Sequence, residues 1–183
     1  LDHKLSLGFV AYDDMIDLGA RLLEHPSSST AIRSQRYHIV LDEAQDASHA
    51  QFKVLLGVLG LDMDNLAASK VPPRGQFCMV GDPQQAIYGS GKDLPTYLKL
   101  HKRLDELGWA KSLYFRTTYR CSQNIVAAVN TLFPQILTEQ GGRQAKFETM
   151  HACDHAVAGK VSKLVLNAID SSGTVQEKSA SEA

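Results

Sequence analysis

The segment Val40-Leu41-Asp42-Glu43-Ala44-Gln45-Asp46 joins an apolar run to three acids and an amide. An apolar strand that ends in Asp-Glu places two carboxylates at the edge of a sheet, where ligands of open α/β sheets bind. Two carboxylates there suit phosphoanhydride chemistry. One holds a divalent cation that bridges the outer phosphates of a nucleotide, and the other orients or deprotonates the attacking water. A bare Asp-Glu pair also has a plainer use, solvating a loop or favouring the N-terminus of a following helix. A second cluster is His151, Cys153 and His155, which alternate and would share one face of a strand. Three such groups suit zinc, but a fourth ligand is not evident, and an exposed polar stretch is the simpler reading.

The elements that must hold these residues follow from hydrophobic periodicity. The spacing predicts a helix over 12–24 with Met15, Leu18 and Leu22 on one face, stopped by His25-Pro26-Ser27-Ser28-Ser29. Tyr37 to Leu41 is a short apolar run with β-branched members, the pattern of a buried parallel strand. A helix then starts near Asp46 or Ser48, buries Phe52, Leu55, Leu56 and Leu59, and ends near Gly60. Residues 62–75 read as a loop, and Phe77 to Val80 as a second strand before Gly81-Asp82-Pro83. Asp93 opens a helix to about Leu107, with Tyr97, Leu100, Leu104 and Leu107 inward. Ser112 to Phe115 reads as a third strand. Ser122 caps a helix that buries Ile125, Val129, Leu132 and Phe133. Lys160 to Ile169 is a candidate last strand, and the Ser/Glu/Lys/Ala-rich stretch from Asp170 reads as a frayed tail. Strand and helix in alternation predict an α/β fold with a parallel sheet and flanking helices.

Apolar residues make up 44% of the chain and charged residues 21%, values of a soluble globular protein. The apolar runs are too short to cross a bilayer, so no membrane role is expected. The start, Leu1-Asp2-His3-Lys4, shows no signal peptide and no initiator Met, the pattern of a chain that begins within a longer protein. A net charge of −1 gives no global basic field, so any nucleic-acid contact is local. The three cysteines, Cys78, Cys121 and Cys153, are too scattered for a disulfide scaffold and fit a reducing interior, a cytoplasmic location.

Asp42-Glu43-Ala44-Gln45-Asp46, then Val80-Gly81-Asp82-Pro83-Gln84-Gln85-Ala86-Ile87-Tyr88, then Thr118-Tyr119-Arg120-Cys121-Ser122 resemble motifs II, III and IV of superfamily 1 helicases. The resemblance is to the UvrD/Rep/PcrA group, with RecB and AddA as relatives. It runs from about residue 9 to 133, and Tyr12-Asp13-Asp14 resembles the Phe-Asp-Asp stretch before motif II there. It implies a partial RecA-like P-loop NTPase fold, with residues 1–110 the back of a first lobe and 111–183 the start of a second. It implies ATP and Mg²⁺ as cofactors and single-stranded and duplex DNA as partners, alongside repair or recombination proteins and a nucleoid-associated location. Under it Asp42 is the Mg²⁺ carboxylate, Glu43 the base that also lies at the metal, Gln85 a γ-phosphate contact that links nucleotide state to DNA grip, and Arg120 a γ-phosphate arginine from the second lobe. Asp82 and Gln84 support the Gln85 loop. Gln45 senses phosphate or DNA state, and Asp46 caps the next helix. Tyr88, Tyr119 and Trp109 are read as packing residues, and Cys78 and Cys121 as core or near-core. The resemblance also implies movement 3′ to 5′ on DNA.

The pattern is departed from in three places. No Gly-x-x-x-x-Gly-Lys-Ser/Thr loop is present; Gly89-Ser90-Gly91-Lys92 is followed by Asp93 and lies at the wrong place in the order. Motifs V and VI are not seen. Ser90 or Gly91 stands where the family stacks an aromatic on a DNA base. The expectation is a piece of a helicase that hydrolyses no ATP alone and self-associates through apolar surface left by absent strands. The alternatives are the motor of a RecB/AddA-like helicase–nuclease and a non-catalytic binding module.

Overall fold

The computed structural model describes residue 4 and residues 6–86, 93–139 and 144–163. Tyr88, the 89–92 loop, positions 164–169 of the expected last strand and the tail lie outside the described residues. The chain divides into two compact units, Leu1–Leu113 with Leu137–Phe147, and Tyr114–Ile136 with Glu148–Ala183.

In the first unit, α1 (Tyr12–Glu24) is followed at once by α2 (Pro26–Ser34). The Pro-Ser stretch stops one helix, as expected, but also begins another. Proline at the first helical position lacks only an N–H that would have no helical partner there. Then come β1 (Ile39–Leu41), α3 (His49–Val58), β2 (Phe77–Met79) and α4 (Asp93–Glu106), with short 3₁₀ turns at Ala44–Asp46, Leu66–Ala68 and Pro83–Gln85. Strands β1 and β2 pair in parallel, Ile39 opposite Phe77 and Leu41 opposite Met79. The result is a mixed helix and strand fold with small parallel sheets.

The core lies between α3, α4 and the turn after β1. Phe52 and Leu56 of α3, Tyr97, Leu100 and Leu104 of α4, and Ala44 and Ala47 of the turn are buried together. Leu41, Phe77, Met79 and Trp109 pack against them. Fully burying a Phe or Leu side chain is worth about 1.5–3 kcal/mol, so the Ala44–Ala47 segment is fixed by the best-packed part of the unit. Ser48 caps α3 by accepting from the Gln51 N–H at 3.3 Å, while Gln51 Oε1 accepts from the Ser48 N–H at 2.7 Å. That reciprocal box makes Ser48 the cap; Asp46 stands within the preceding turn. Gly60 follows the helix with φ +78°, the left-handed stop that glycine favours.

Helix α1 packs on α3 with a different face from the one its periodicity suggests. Ile16, Ala20 and Leu23 are half-buried together with the expected Leu18, whereas the expected Met15 and Leu22 are exposed. Small residues set this face. A Cβ built on Gly19 would stand 3.3 Å from Val54 Cγ1, and one on Gly57 would stand 3.0 Å from Leu23 Cδ1. At the start of α1, buried Asp14 accepts from the Ala11 N–H at 2.8 Å and from Lys4 Nζ at 3.1 and 3.2 Å. The Ala11 amide first, then the Lys4 ammonium, holds the Asp14 carboxyl below its ordinary value.

The second unit holds β3 (Thr117–Thr118), α5 (Gln123–Leu132) and β4 (His151–Ala152), with β3 and β4 parallel. The expected strand at 112–115 is not formed, and Leu113, Tyr114 and Phe115 are exposed. The pairing that exists starts two residues later, where Thr117 meets His151. Only Val126 of α5 is buried; Ile125, Leu132 and Phe133 are exposed, because the helix rests on the β4 side by one narrow face. Residues 160–163 carry no strand. Among the described residues no helix is long and apolar enough to cross a membrane.

Candidate functional site

Strand β1 delivers Asp42 and Glu43 to its carboxyl end, both exposed. There the backbone turns sharply. Glu43 has φ 49° and ψ 40°, the left-handed region, which costs a residue with a Cβ about 1–2 kcal/mol. Several hydrogen bonds hold the turn. The Glu43 N–H donates to Asp42 Oδ1 at 2.9 Å, the Ala44 N–H to the Val80 carbonyl at 2.9 Å, and the Asp46 N–H to the Glu43 carbonyl at 3.0 Å. The Val80 N–H donates to the Leu41 carbonyl at 2.8 Å, so the turn is tied to the end of β2 on both sides.

Gln45 lies inside this turn with 1% of its surface exposed. Its Nε2 donates to Glu43 Oε2 at 2.8 Å and to Asp46 Oδ2 at 3.3 Å. Its Oε1 accepts from the Asp82 N–H at 3.0 Å. Asp82 continues the chain of contacts: Oδ1 accepts from the Gln84 N–H at 2.9 Å and Oδ2 from Gln85 Nε2 at 2.8 Å. The approach of the two loops needs Gly81. A Cβ there would stand 2.7 Å from Gln45 Oε1 and 3.3 Å from the Ala44 nitrogen.

Of the four residues singled out as candidates, Asp42, Glu43 and Gln85 thus share one region of the first unit. Arg120 belongs to the second unit, in the turn between β3 and α5, and is exposed; its N–H donates to Thr118 Oγ1 at 3.2 Å. That turn is fastened at its far end. The Gln123 and Asn124 N–H groups donate to the carbonyls of Val157 and Ala158 at 2.9 and 2.8 Å, and Asn124 Nδ2 to that of Gly159 at 2.8 Å. These carbonyls meet the orphan donors of the α5 N-terminus. Ser122 occupies the cap position but its side chain makes no capping bond, and its buried Oγ has no partner among the described residues.

Sequence reading missed the connecting role of Gln45. The signal available for it was the pair of Gln45 and Gly81, an amide beside the acids and a residue without a side chain at the facing strand end. Tyr119 does not pack; it is 85% exposed. Cys78 is exposed on β2 and Cys121 half-buried, and the cysteines are free. The His151, Cys153 and His155 alternation is broken, since β4 ends at Ala152 and a turn follows. Among the described residues no group of three or more His, Cys, Asp or Glu could hold a metal ion.

A pocket of about 370 Å³ opens beside the carboxylates, lined by Asp42, Glu43 and Asp46 and by apolar Ile16, Leu41 and Val54. Asp46 Oδ1 is buried with no partner among the described residues. An orphaned buried oxygen is costly unless water or a ligand's cation meets it. The donor set fits Mg²⁺ of the kind that keeps waters and takes one or two carboxylates plus substrate phosphates, rather than a bare ion in an all-protein cage.

The comparisons with known proteins agree with the sequence motifs. The family model of the UvrD/REP helicase N-terminal domain matches residues 2–105. The ATP-dependent DNA helicase UvrD1 of Mycobacterium tuberculosis is 27% identical over 137 residues, 74% of this chain and 16% of that protein. The RecBCD enzyme subunit RecB of Haemophilus influenzae is 33% identical over 139 residues, 73% of this chain and 10% of that protein. The ATP-dependent DNA helicase PcrA of Staphylococcus epidermidis is 31% identical over 121 residues, 65% of this chain and 14% of that protein. The chain therefore spans a small part of the length of the curated relatives it matches, and with its motifs, its site and its family match it belongs to the UvrD/REP helicase family.

Proposed function

We propose that this chain is part of the motor core of a longer ATP-dependent DNA helicase with RecA-like lobes, residues 1–110 from the first and 111–183 from the second. The observation that carries the reading is the exposed Asp42–Glu43 pair at the carboxyl end of β1, joined through Gln45 and Asp82 to Gln85. Bound with ATP, Mg²⁺ would neutralise charge on the outer phosphates. Asp42 would hold that ion, and Glu43 would accept the proton of the attacking water. Gln85, on the Asp82 loop, contacts the γ-phosphate. Arg120 supplies a guanidinium that stabilises charge developing in the transition state. Hydrolysis then steps the protein along single-stranded DNA, 3′ to 5′, unwinding duplex ahead of it. The direction rests on the motif resemblance alone.

The sequence holds no Walker A loop, so this chain alone binds nucleotide weakly and hydrolyses none. The likeness to RecB supports a second reading, the motor part of a helicase–nuclease, which differs only in what the longer protein carries besides the motor. A non-catalytic binding module is disfavoured because it has no need of Asp42, Glu43, Gln85 and Arg120 together.

The test is DNA-stimulated ATPase activity of this chain and of the longest natural version of its gene, each with and without Glu43→Gln. Activity in the longer protein alone, reduced about 10²–10⁴-fold by Glu43→Gln, is the expected result for loss of a general base. No activity in a longer protein that also lacks a Walker A loop would sink the motor reading.

A further inference from the structure

Gln45 is the most thoroughly buried polar side chain of the turn, and both its amide nitrogen and its amide oxygen make hydrogen bonds. A residue needed only to fill this space would be apolar, since its chain neighbours Ala44 and Ala47 sit in the hydrophobic core. A buried amide brings a desolvation cost of about 1–3 kcal/mol if its bonds are not made. Here they are made to the Glu43 carboxylate, the Asp46 carboxylate and the Asp82 N–H, the last across 37 positions of sequence. The donors face the acids and the acceptor faces the loop that carries Gln85. Only an amide does both at once: a carboxylate at position 45 would keep the acceptor for Asp82 but set a third negative group against Glu43 and Asp46.

We infer that Gln45 is a positioning residue, which fixes the rotamer of Glu43 and couples it to the Asp82–Gln85 loop so that a shift of the loop moves the Glu43 carboxylate. The inference rests on the reading of Glu43 as the base in the Proposed function. Gly81 belongs to the same device, since a side chain there would push the loop away from Gln45.

The experiment uses the longest natural version of the protein, comparing Gln45→Leu and Gln45→Glu with Glu43→Gln as reference. Steady-state ATPase, binding of a non-hydrolysable ATP analogue and hydrogen–deuterium exchange of the peptide containing Asp82 are measured. Losing a hydrogen-bond partner of a site ligand typically costs about 10–100-fold in activity. Both Gln45 variants should lose that much in kcat, with KM for ATP and analogue affinity changed less than about twofold. Exchange at the Asp82 peptide should rise in Gln45→Leu and stay near wild type in Gln45→Glu, which retains the acceptor. A purely structural glutamine would instead lower thermal stability with kcat of the folded protein preserved. If Gln45→Leu fails to fold, Gln45→Glu decides by its kcat. Unchanged kcat in a folded Gln45 variant, with Glu43→Gln inactive, overturns the inference alone. Full activity in Glu43→Gln overturns the base reading and the inference together.

Discussion

Gly81→Ala is the smallest perturbation that should separate the two loops of the site. One added methyl group would stand 2.7 Å from Gln45 Oε1, 3.2 Å from the Gln45 nitrogen and 3.3 Å from the Ala44 nitrogen. Two of these neighbours are backbone atoms of a turn fixed by core packing, so they cannot swing aside as a flexible side chain would. Relief comes by one of two routes. Either the β2 end moves off the turn, a strain of about 1–3 kcal/mol for overpacking, or Gln45 gives up its bond to the Asp82 N–H, leaving buried polar groups unmet at about 1–3 kcal/mol. These are alternative ways out of one clash and are not summed. A loss of about 2 kcal/mol, with a denaturant slope of about 2 kcal/mol per molar urea, shifts the unfolding midpoint by about 1 M. The assay is urea unfolding followed by circular dichroism, with Gly75→Ala as a reference. Gly75 meets nothing within 4 Å, so its substitution reports only the cost of φ +80°. A Gly81→Ala midpoint within 0.2 M of wild type would refute the claim that the two loops touch here without room for a side chain.

Two further outcomes follow from other parts of the structure. Asp14→Asn keeps one oxygen that can accept from the Ala11 N–H but removes the carboxylate charge that strengthens that bond and pairs with Lys4, and should destabilise the protein at neutral pH. Because the folded-state pKa of Asp14 is depressed, its contribution is present above the ordinary carboxyl pKa and is lost as pH falls through the lowered value. Urea midpoints of wild type and variant should therefore converge in strong acid, and a gap that stays constant would contradict the assignment. Arg120→Ala should leave stability within about 0.5 kcal/mol, as for an exposed side chain. In the longer protein it should lower kcat about 10³-fold or more, and an active Arg120→Ala variant would remove this arginine from the proposed site.

Strands β1 and β2 were legible because an apolar run that stops at acids is a local signal. Helices α3 and α4 were legible too: Phe52, Leu56, Tyr97, Leu100 and Leu104 repeat at helical spacing and are all buried. Position along a period does not reveal which of two apolar stripes finds a neighbour. In α1 Ile16 and Leu23 turn inward beside Leu18 while Met15 and Leu22 stay exposed, since the glycines of α1 and α3 let the backbones approach on that side. The 112–115 stretch shows the same limit for strands. Its apolar content suggested a buried strand, but pairing is decided by a partner, and the partner His151–Ala152 is in register with Thr117–Thr118. The Pro26–Ser34 helix was hidden by serines, which compete with helix by bonding locally. Here Ser29 and Thr30 hydroxyls donate to the Pro26 carbonyl within the helix itself.

The wiring of the site was least legible, and for a definite reason. Residue types identify Glu43 as an acid at a strand end, but nothing local identifies its left-handed backbone or the amide that clasps it. Both depend on residues about forty positions away, through Val80 to Ala44 and Asp82 to Gln45. Taken singly, each breaks a local rule: a glutamate where glycine is favoured, and a glutamine within an apolar core. Together they are consistent. The strained turn aims the Glu43 carboxylate at the pocket beside Asp42, and the buried amide keeps it from relaxing. Unfavourable local choices that persist in mutual support are the pattern of a site held for chemistry rather than for stability, and the same pair of loops carries every first-unit residue that the proposed hydrolysis requires.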